Sequence, residues 1–158
     1  MIDFRYAVRK DAHLILEFTK KLAEHEGDIT AVKASEEMLE KWIFDKKKAE
    51  VLFLMENKKE VGYCLFIEGF AAYTGCGTIF IDDLYVDEVF RGKGYGKKLL
   101  QKMAEIAKER ECGRLEWLCF RSNTASMEFY QHMQATLTDS CAVFRITGKQ
   151  IDELLEIV

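Results

Sequence analysis

A short glycine-rich segment, Arg91–Gly96, carries glycines at alternate positions beside basic side chains. Glycine has no Cβ atom, so the main-chain N–H groups of such a segment can approach a ligand closely. A helical pattern follows it. The first N–H groups of a helix have no partner within the helix and give that end a partial positive charge. With Lys93 and Lys97 alongside, the segment predicts a binding site for an anion such as a pyrophosphate.

Several classes of pyrophosphate site share this composition. The phosphate loop of nucleotide hydrolases requires Gly-Lys-Ser or Gly-Lys-Thr, whereas Gly96 is followed by Lys97 and Lys98. A dinucleotide-binding fold places its glycines after the first strand, but several strand-like segments come earlier here. Considered alone, the segment is also compatible with a plain turn before a basic helix. The elements around it must decide between these alternatives.

The spacing of apolar residues predicts the elements that position this segment. Alternate apolar residues indicate strands, and apolar residues three or four positions apart indicate helices. Asp11 and Ser35 are expected to cap the first two helices, with Met38 and Trp42 on the buried side of the second. The predicted strands are Asp3–Arg9, Glu50–Met55, Val61–Glu68, Gly75–Val86, Arg114–Phe120 and Ala142–Thr147, and the later helices are Lys97–Arg110, Thr124–His132 and Gln150–Ile157.

The order of these elements limits the fold class. The early meander of strands implies antiparallel pairing, and the later alternation of helix and strand implies one crossover with some parallel pairing. We therefore expect a mixed α/β fold of the α+β kind rather than a doubly wound parallel sheet. The 158 residues contain no linker-like stretch and predict one domain, residues 1–158.

Composition narrows the functional classes. The net charge of −4 argues against a nucleic-acid partner, and no segment has the length of a membrane span or the apolar block of a signal peptide, so a cytoplasmic location is expected. The cysteines are odd in number and include no Cys-x-x-Cys pair, which argues against disulfides and against a metal site. Cys64, Cys119 and Trp117 are expected in the core.

Three segments together resemble the GNAT acetyltransferase superfamily. They are Ile81–Val86, then Phe90–Gly96 with the Arg-x-x-Gly-x-Gly pattern of an acetyl-CoA loop, then Asn123 with the pair Phe129-Tyr130. The resemblance implies a mostly antiparallel central sheet flanked by helices, with acetyl-CoA as co-substrate. Leu22–Glu26 and the acids before Leu84 are most similar to the diamine branch. That branch implies a spermidine-, spermine- or thialysine-like acceptor and a homodimer.

The resemblance also implies roles for individual residues. Tyr130 corresponds to the general acid that protonates the departing thiolate, and Asp82 to the base that deprotonates the acceptor ammonium, often through water. Since adjacent strand residues point to opposite faces, Asp83 would join Asp82 at the cleft only through a β-bulge, which the resemblance also implies. His25 and Glu26 would line the acceptor side. Coenzyme contacts are expected from Leu84, Tyr85, Val86, Arg91, Gly92, Lys93, Gly94, Tyr95, Gly96, Lys97, Asn123, Ser126 and Tyr130.

The chain departs from the family pattern at two positions. Gln134 stands where the family usually carries glycine, so the turn after the Phe-Tyr pair is expected to differ in shape. Asp82 replaces the glutamate common in the diamine branch, and its shorter side chain would reach its target through water.

Simpler roles remain open for several of these residues. Tyr130 could pack beside Phe129, Asn123 could serve as a helix cap, and Glu26 could be a solvated helix-end acid. Alternative functions are an acyl-CoA sensor without turnover, a transferase acting on peptide or amino-acid amines, and a nucleotide-binding α/β protein. The segment Ala142–Thr147 is the candidate edge strand for a dimer contact.

Overall fold

The computed structural model describes residues 1 to 156 of the 158-residue chain. The chain divides into two compact units, residues 1 to 123 and the residues from 124 onward. None of the helices in the described part is long and apolar enough to cross a membrane. The strands are β1 Ile2–Tyr6, β2 Glu50–Glu56, β3 Lys59–Ala71, β4 Cys76–Val86 and β5 Cys112–Trp117, and the helices are α1 Ala12–Glu26, α2 Glu36–Leu39, α3 Tyr95–Glu109, α4 Thr124–His132 and α5 Lys149–Leu155.

A five-stranded sheet with strand order β1-β2-β3-β4-β5 forms the frame of the first unit. The first four strands pair antiparallel with their neighbours in sequence. β5 runs parallel to β4, because α3 carries the chain back along the sheet between them. The predicted mixed, mostly antiparallel architecture is confirmed.

One face of the sheet packs against α1. Phe18 of that helix stacks on Tyr63 of β3, with ring centroids 5.3 Å apart, and lies edge-on to Tyr85 of β4 at 6.2 Å. The two tyrosines are direct cross-strand partners, so both rings point to the same face. This cluster fixes α1 over the end of β4 that leads to the glycine-rich segment.

The opposite face packs against α3. The inward side of that helix is formed by Leu99, Leu100, Met103 and Ile106, all of them buried. Their spacing of three or four positions places them on one side of the helix, as the sequence predicts. Cys64 is buried in the sheet, also as predicted.

Four predicted core residues are in fact exposed or only half-buried. Met38 in α2 and Trp42 after it are exposed. Around Trp42 the helix widens into a π-helical turn, in which Lys46 N–H bonds the Lys41 carbonyl five residues back. The wider turn rotates the buried side away from the predicted positions. Trp117, the last residue of the edge strand β5, and Cys119, two residues beyond it, are half-buried.

The two predicted helix caps differ in outcome. Ser35 caps α2 as predicted, accepting a hydrogen bond from Met38 N–H at 3.3 Å. Asp11 precedes α1, but its carboxylate does not accept a hydrogen bond from that helix. It instead accepts one from Val8 N–H at 2.8 Å and pairs with the Arg5 guanidinium at 2.7 Å. The ion pair is partly buried, and a 3-10 turn, Arg9–Asp11, follows β1, so the strand ends at Tyr6 and not at the predicted Arg9.

The second unit contains α4, which has the predicted bounds, and α5, which begins one residue before the predicted Gln150. The predicted end of α5 at Ile157 lies outside the described residues. The predicted strand Ala142–Thr147 is wrong, because these residues are exposed and form no strand. A strand requires a neighbouring backbone to complete its hydrogen bonds, and no ladder reaches this segment in the described part of the chain.

Gln134 occupies a conformation that glycine ordinarily supplies. Ala135 N–H bonds Tyr130 O at 3.1 Å and Gln134 N–H bonds Gln131 O at 2.9 Å, the hydrogen-bond pattern of a Schellman cap at the end of α4. Gln134 has φ of +64°, in the left-handed region. At the end of α1 the same cap is formed with Gly27, at φ of +80°. The turn was expected to differ in shape, but it keeps the cap that glycine usually forms, with Gln134 held in the left-handed conformation.

Gln134→Gly is expected to raise the free energy of unfolding by about 1 kcal/mol, because it removes the left-handed strain of a residue with a Cβ. Urea unfolding followed by circular dichroism measures the change. The matched control is Gln131→Gly within α4, which should instead lower the free energy of unfolding by about 1 kcal/mol. Destabilisation by both variants would show that no strain resides at Gln134.

Candidate active site

The sheet opens between β4 and β5. Their pairing runs from Gly77 beside Cys112 to Ile81 beside Trp117, and β4 then continues alone on that side as far as Val86. Within residues 1 to 123, the stretch after Ile81 pairs only with β3. An extended ligand can therefore lie along this edge of β4.

Strand register shows which main-chain groups face the opening. Asp87 N–H bonds the carbonyl of Val61 on β3 at 2.9 Å, so Asp87 and Val61 form a hydrogen-bonded pair of the ladder. Hydrogen-bonded and non-bonded pairs alternate along an antiparallel ladder. The main chain of Tyr85 therefore faces β3, while the N–H groups of Leu84 and Val86 face the opening. Main-chain contacts to a ligand in this opening are therefore available from Leu84 and Val86 and not from Tyr85.

A β-bulge places the two adjacent acids. Leu65 pairs with Asp83 and the next residue, Phe66, pairs with Ile81, so Asp82 is the extra residue on β4. The bulge reverses the alternation of the strand. Ile81 faces the α3 side, whereas Asp83 faces the α1 side together with Tyr85. The bulge that the resemblance implied is present, and it leaves Asp82 exposed.

Asp83 is largely enclosed. The Tyr63 hydroxyl donates a hydrogen bond to its carboxylate, and the Thr19 hydroxyl lies 3.1 Å from the Tyr63 oxygen. Burial raises the pKa of Asp83, the bond from Tyr63 opposes that rise, and the charge of Asp82 adds to it. A nearby cation would therefore stabilise the ionised form of Asp83.

Glu26, the last residue of α1, interacts electrostatically with Asp83. Partial loss of solvent raises the pKa of Glu26, and the charge of Asp83 raises it further. The resemblance implied that Glu26 lines the acceptor side and that Asp82 and Asp83 share the cleft. The charge interactions of Asp83 with Glu26 and with Asp82 create a region that favours a positively charged group.

The glycine-rich segment turns from β4 into α3. Gly92 and Gly94 have φ of +76° and +75°, values that residues with a Cβ atom rarely adopt. The first main-chain bond of α3 runs from Lys98 N–H to Gly94 O at 3.1 Å. The N–H groups before it, including that of Gly96, point out of the helix end beside the exposed Lys97. This is the geometry of an anion site.

Two loop side chains are held by a residue that sequence reasoning missed. Glu56, at the end of β2, accepts a hydrogen bond from the Tyr95 hydroxyl and lies 3.4 Å from Lys93 Nζ. The bond from Tyr95 is the main cause that holds the pKa of Glu56 below its usual value. Nothing in the spacing of Glu56 indicates this role, because the contact depends on how β2 lies beside the loop.

Arg91 and His25 contact each other. Arg91 Nη1 lies 3.3 Å from His25 Nδ1, its Nε donates to Val86 O at 3.1 Å, and its guanidinium covers the ring of Tyr85 at 5.3 Å. The loop is thereby tied to the end of α1, where the acceptor side was predicted. A depression of about 310 Å³ lies beside these residues and is lined by Lys21, Glu24, His25, Tyr85, Asp87, Glu88 and Val89.

The remaining predicted residues lie at and after the unit boundary. Asn123 immediately precedes α4, and its N–H donates to Phe120 O at 2.9 Å. Ser126 and Tyr130 lie on α4 itself. The rings of Tyr130 and Phe129 have centroids 5.3 Å apart. Their roles remain predictions from the sequence.

Known proteins resemble the chain in sequence and in fold. The family model for the acetyltransferase (GNAT) family matches residues 15–134. A thialysine N-epsilon-acetyltransferase of Bos taurus is 30% identical over 97% of this chain and 96% of its own length. A spermidine/spermine N(1)-acetyltransferase-like protein of Homo sapiens is 25% identical over 98% of this chain and 23% of its own length.

A solved structure supports the fold independently. An integron cassette protein from V. cholerae superposes with a TM-score of 0.82 at 24% identity, covering 99% of this chain and 98% of the other. The family model covers most of the chain, and the relatives carry acetyltransferase names matching the diamine branch. The chain belongs to the GNAT family of acetyltransferases and is an acyltransferase.

Proposed function

We propose that the enzyme transfers the acetyl group of acetyl-CoA to a primary amine of a small cationic acceptor, such as a polyamine or thialysine. The observation that carries the proposal is the acidic group Glu26, Asp82 and Asp83, located where β4 opens and leads into the glycine-rich loop. An acceptor that carries more than one ammonium group would gain from several carboxylates at once.

The coenzyme fits the open edge and the loop. GNAT acetyltransferases use acetyl-CoA. Its pyrophosphate would bind the main-chain N–H groups at the start of α3, with Lys97 adding positive charge. Its pantetheine arm would lie along β4 and bond the main chain of Leu84 and Val86. Asn123, Ser126 and Tyr130 complete the proposed coenzyme contacts.

The acids and Tyr130 divide the chemistry. Asp83 holds the acceptor ammonium, because a carboxylate in a poorly solvated site attracts a cation strongly. Asp82 takes the proton of that ammonium through water, and its exposure lets it pass the proton to solvent. The free amine attacks the acetyl carbon, so that a C–N bond forms as the C–S bond breaks. Tyr130 donates its phenolic proton to the departing thiolate sulfur. The attacking nitrogen must lose a second proton to become the amide, and this proton returns to the Tyr130 phenolate, directly or through water.

An acceptor screen tests the function. The full-length protein is mixed with isotope-labelled acetyl-CoA and a panel of spermidine, spermine, thialysine, lysine, ornithine and short peptides. Free thiol and the mass of each product are then followed. Labelled acetyl groups should appear on di- and polyamines or thialysine first. Coenzyme binding without thiol release across the whole panel would refute the proposal, and exclusive labelling of peptides would refute the acceptor class.

We also propose that residues 1–158 act as one acetyltransferase domain and as a cytoplasmic homodimer. The family match over residues 15–134 crosses the boundary between the two compact units, which supports a single domain. The dimer rests on the resemblance to the diamine branch. Light scattering of the purified protein should give twice the mass of one chain.

A further inference from the structure

A buried chain of hydrogen bonds connects Thr19, Tyr63 and Asp83. Tyr63 is completely buried, and its hydroxyl donates to the Asp83 carboxylate. The Thr19 hydroxyl lies 3.1 Å from the same phenolic oxygen. A phenol has one proton, and an ionised carboxylate can only accept. Since Tyr63 gives its proton to Asp83, Thr19 must donate to Tyr63.

The packing around Tyr63 fixes the orientation of its ring and hydroxyl group. Its ring stacks on Phe18 with centroids 5.3 Å apart and planes inclined by 18°. Its cross-strand partner is Tyr85, which is also buried. Phe18 and Thr19 are neighbours on α1, so the residue that stacks on the ring and the residue that bonds the hydroxyl come from one rigid element. The hydroxyl is therefore pre-oriented toward Asp83.

Tyr63 remains a donor over the whole range in which Asp83 titrates. Burial raises the pKa of Tyr63 well above its usual value, and the charge of Asp83 raises it further. The phenolic proton therefore stays on Tyr63 when Asp83 is ionised. Packing alone does not require this hydroxyl, because phenylalanine would fill the same space without the hydrogen bond to the carboxylate.

The other ionisable groups near Asp83 oppose its charge. Asp82 from β4 and Glu26 from α1 are both acidic and interact unfavourably with an ionised Asp83. The buried Cys64 thiol of β3 is kept neutral, because burial and the charge of Asp83 both raise its pKa. The Tyr63 hydroxyl is the neighbouring group that lowers the pKa of Asp83.

We infer that Tyr63, oriented by Thr19, is a positioning residue whose hydrogen bond holds one oxygen of the Asp83 carboxylate and leaves the other oxygen to bind the acceptor ammonium. The inference rests on the proposed function, because it concerns the residue that holds the acceptor. Tyr63 touches neither substrate and acts only through Asp83. Thr19 acts one step further back, through the phenol.

The pH profile of Tyr63→Phe tests this role. Loss of the hydroxyl raises the pKa of Asp83, so the acid limb of kcat/KM for the acceptor moves to higher pH. At a pH on the wild-type acid limb, kcat/KM should fall about tenfold, and it should recover as the pH rises. Thr19→Val should shift the limb in the same direction by less. Tyr73→Phe, at a fully exposed tyrosine, is the matched control and should leave the limb in place.

A double variant separates positioning from general damage. In an Asp83→Asn background, Tyr63→Phe should cause no further loss, because its effect runs through Asp83. An unchanged acid limb in Tyr63→Phe, with active wild-type enzyme, would overturn the inference and leave the proposed function standing. A loss equal at all pH values would also overturn it, since that is the signature of damaged packing.

A measurement independent of activity keeps the two proposals apart. Carbon-13 NMR of the carboxyl groups follows the titration of Asp83 directly, in wild type and in Tyr63→Phe. The Asp83 resonance should titrate at higher pH in the variant, whether or not a tested amine is acetylated. If Tyr63→Phe does not fold, Thr19→Val gives the same comparison. Equal titration in the variant and wild type would refute the positioning role.

Discussion

Tyr130→Phe is expected to lower kcat for acetyl transfer about a hundredfold or more and to leave the affinity for acetyl-CoA nearly unchanged. The variant keeps the aromatic ring and loses the proton that the departing thiolate needs. An unperturbed phenol has a pKa near ~10, so tyrosine at this position is a proton donor at neutral pH. Thiol release measures kcat, and calorimetry with acetyl-CoA measures binding.

The same experiment distinguishes the proposed role of Tyr130 from simple packing beside Phe129. Tyr73→Phe removes a hydroxyl from a fully exposed tyrosine and should change neither kcat nor coenzyme affinity. Should Tyr130→Phe keep full turnover, the thiolate must take its proton from water or from another residue. A parallel loss of coenzyme affinity would assign the hydroxyl to binding instead of proton transfer.

Residues that lie close in sequence were predictable. The loop Arg91–Gly96 needs only local information, because its glycines, its basic residues and the helix that follows are contiguous. The meander and the crossover follow from the order of the elements in the same way. Local spacing therefore sufficed for the glycine loop with its following helix and for the type of sheet.

The hydrogen bonds that hold Tyr63 beside Asp83 and Tyr95 in the loop were not predictable from sequence spacing. Thr19 and Tyr63 are 44 positions apart, and Tyr95 and Glu56 are 39 apart. Such contacts depend on strand register and helix placement. The one signal in the sequence for the first contact is a tyrosine in an apolar strand, because a buried phenol requires a hydrogen-bond partner. Glu56 carries no comparable signal.

Departures from regular elements account for the wrong predictions. The π-helical turn Glu40–Asp45 rotates Trp42 to the surface, and no periodicity rule anticipates it. The apolar residues of Ala142–Thr147 resemble a strand, yet a strand exists only where a partner completes its ladder. The β-bulge at Asp82 was expected only through the family resemblance, since regular alternation would have separated the two acids.

The bulge also leads to the second prediction, that Asp82 and Asp83 contribute to different kinetic constants. Asp82 is exposed and Asp83 is enclosed with Tyr63, so the two carboxyl groups experience different solvation. Asp82→Asn is expected to lower kcat about a hundredfold with little change in KM for the acceptor, because it removes the group that accepts the proton. Steady-state kinetics with the best acceptor of the screen measures both constants.

Asp83→Asn is expected instead to raise KM for the acceptor about a hundredfold, because the ammonium loses its charge partner in a poorly solvated site. Asparagine keeps the size of the side chain and can still accept a hydrogen bond from Tyr63. The pKa of Asp83 is raised by burial, so in wild type acceptor binding weakens as the pH falls and the carboxylate is protonated. That pH dependence should disappear in Asp83→Asn and persist in Asp82→Asn.

Glu68→Gln provides a control outside the acidic group, since Glu68 lies on β3 beyond the bulge, pairs with Arg110 at 3.0 Å and should affect neither constant. If Asp82→Asn and Asp83→Asn changed kcat and KM alike, the two acids would act as one proton-sharing pair, and the division of roles between an exposed base and an enclosed anchor would be wrong. If instead the two effects were exchanged, the enclosed Asp83 would be the base. Its raised pKa would then serve proton transfer, and the hydroxyl of Tyr63 would set the strength of the catalytic base.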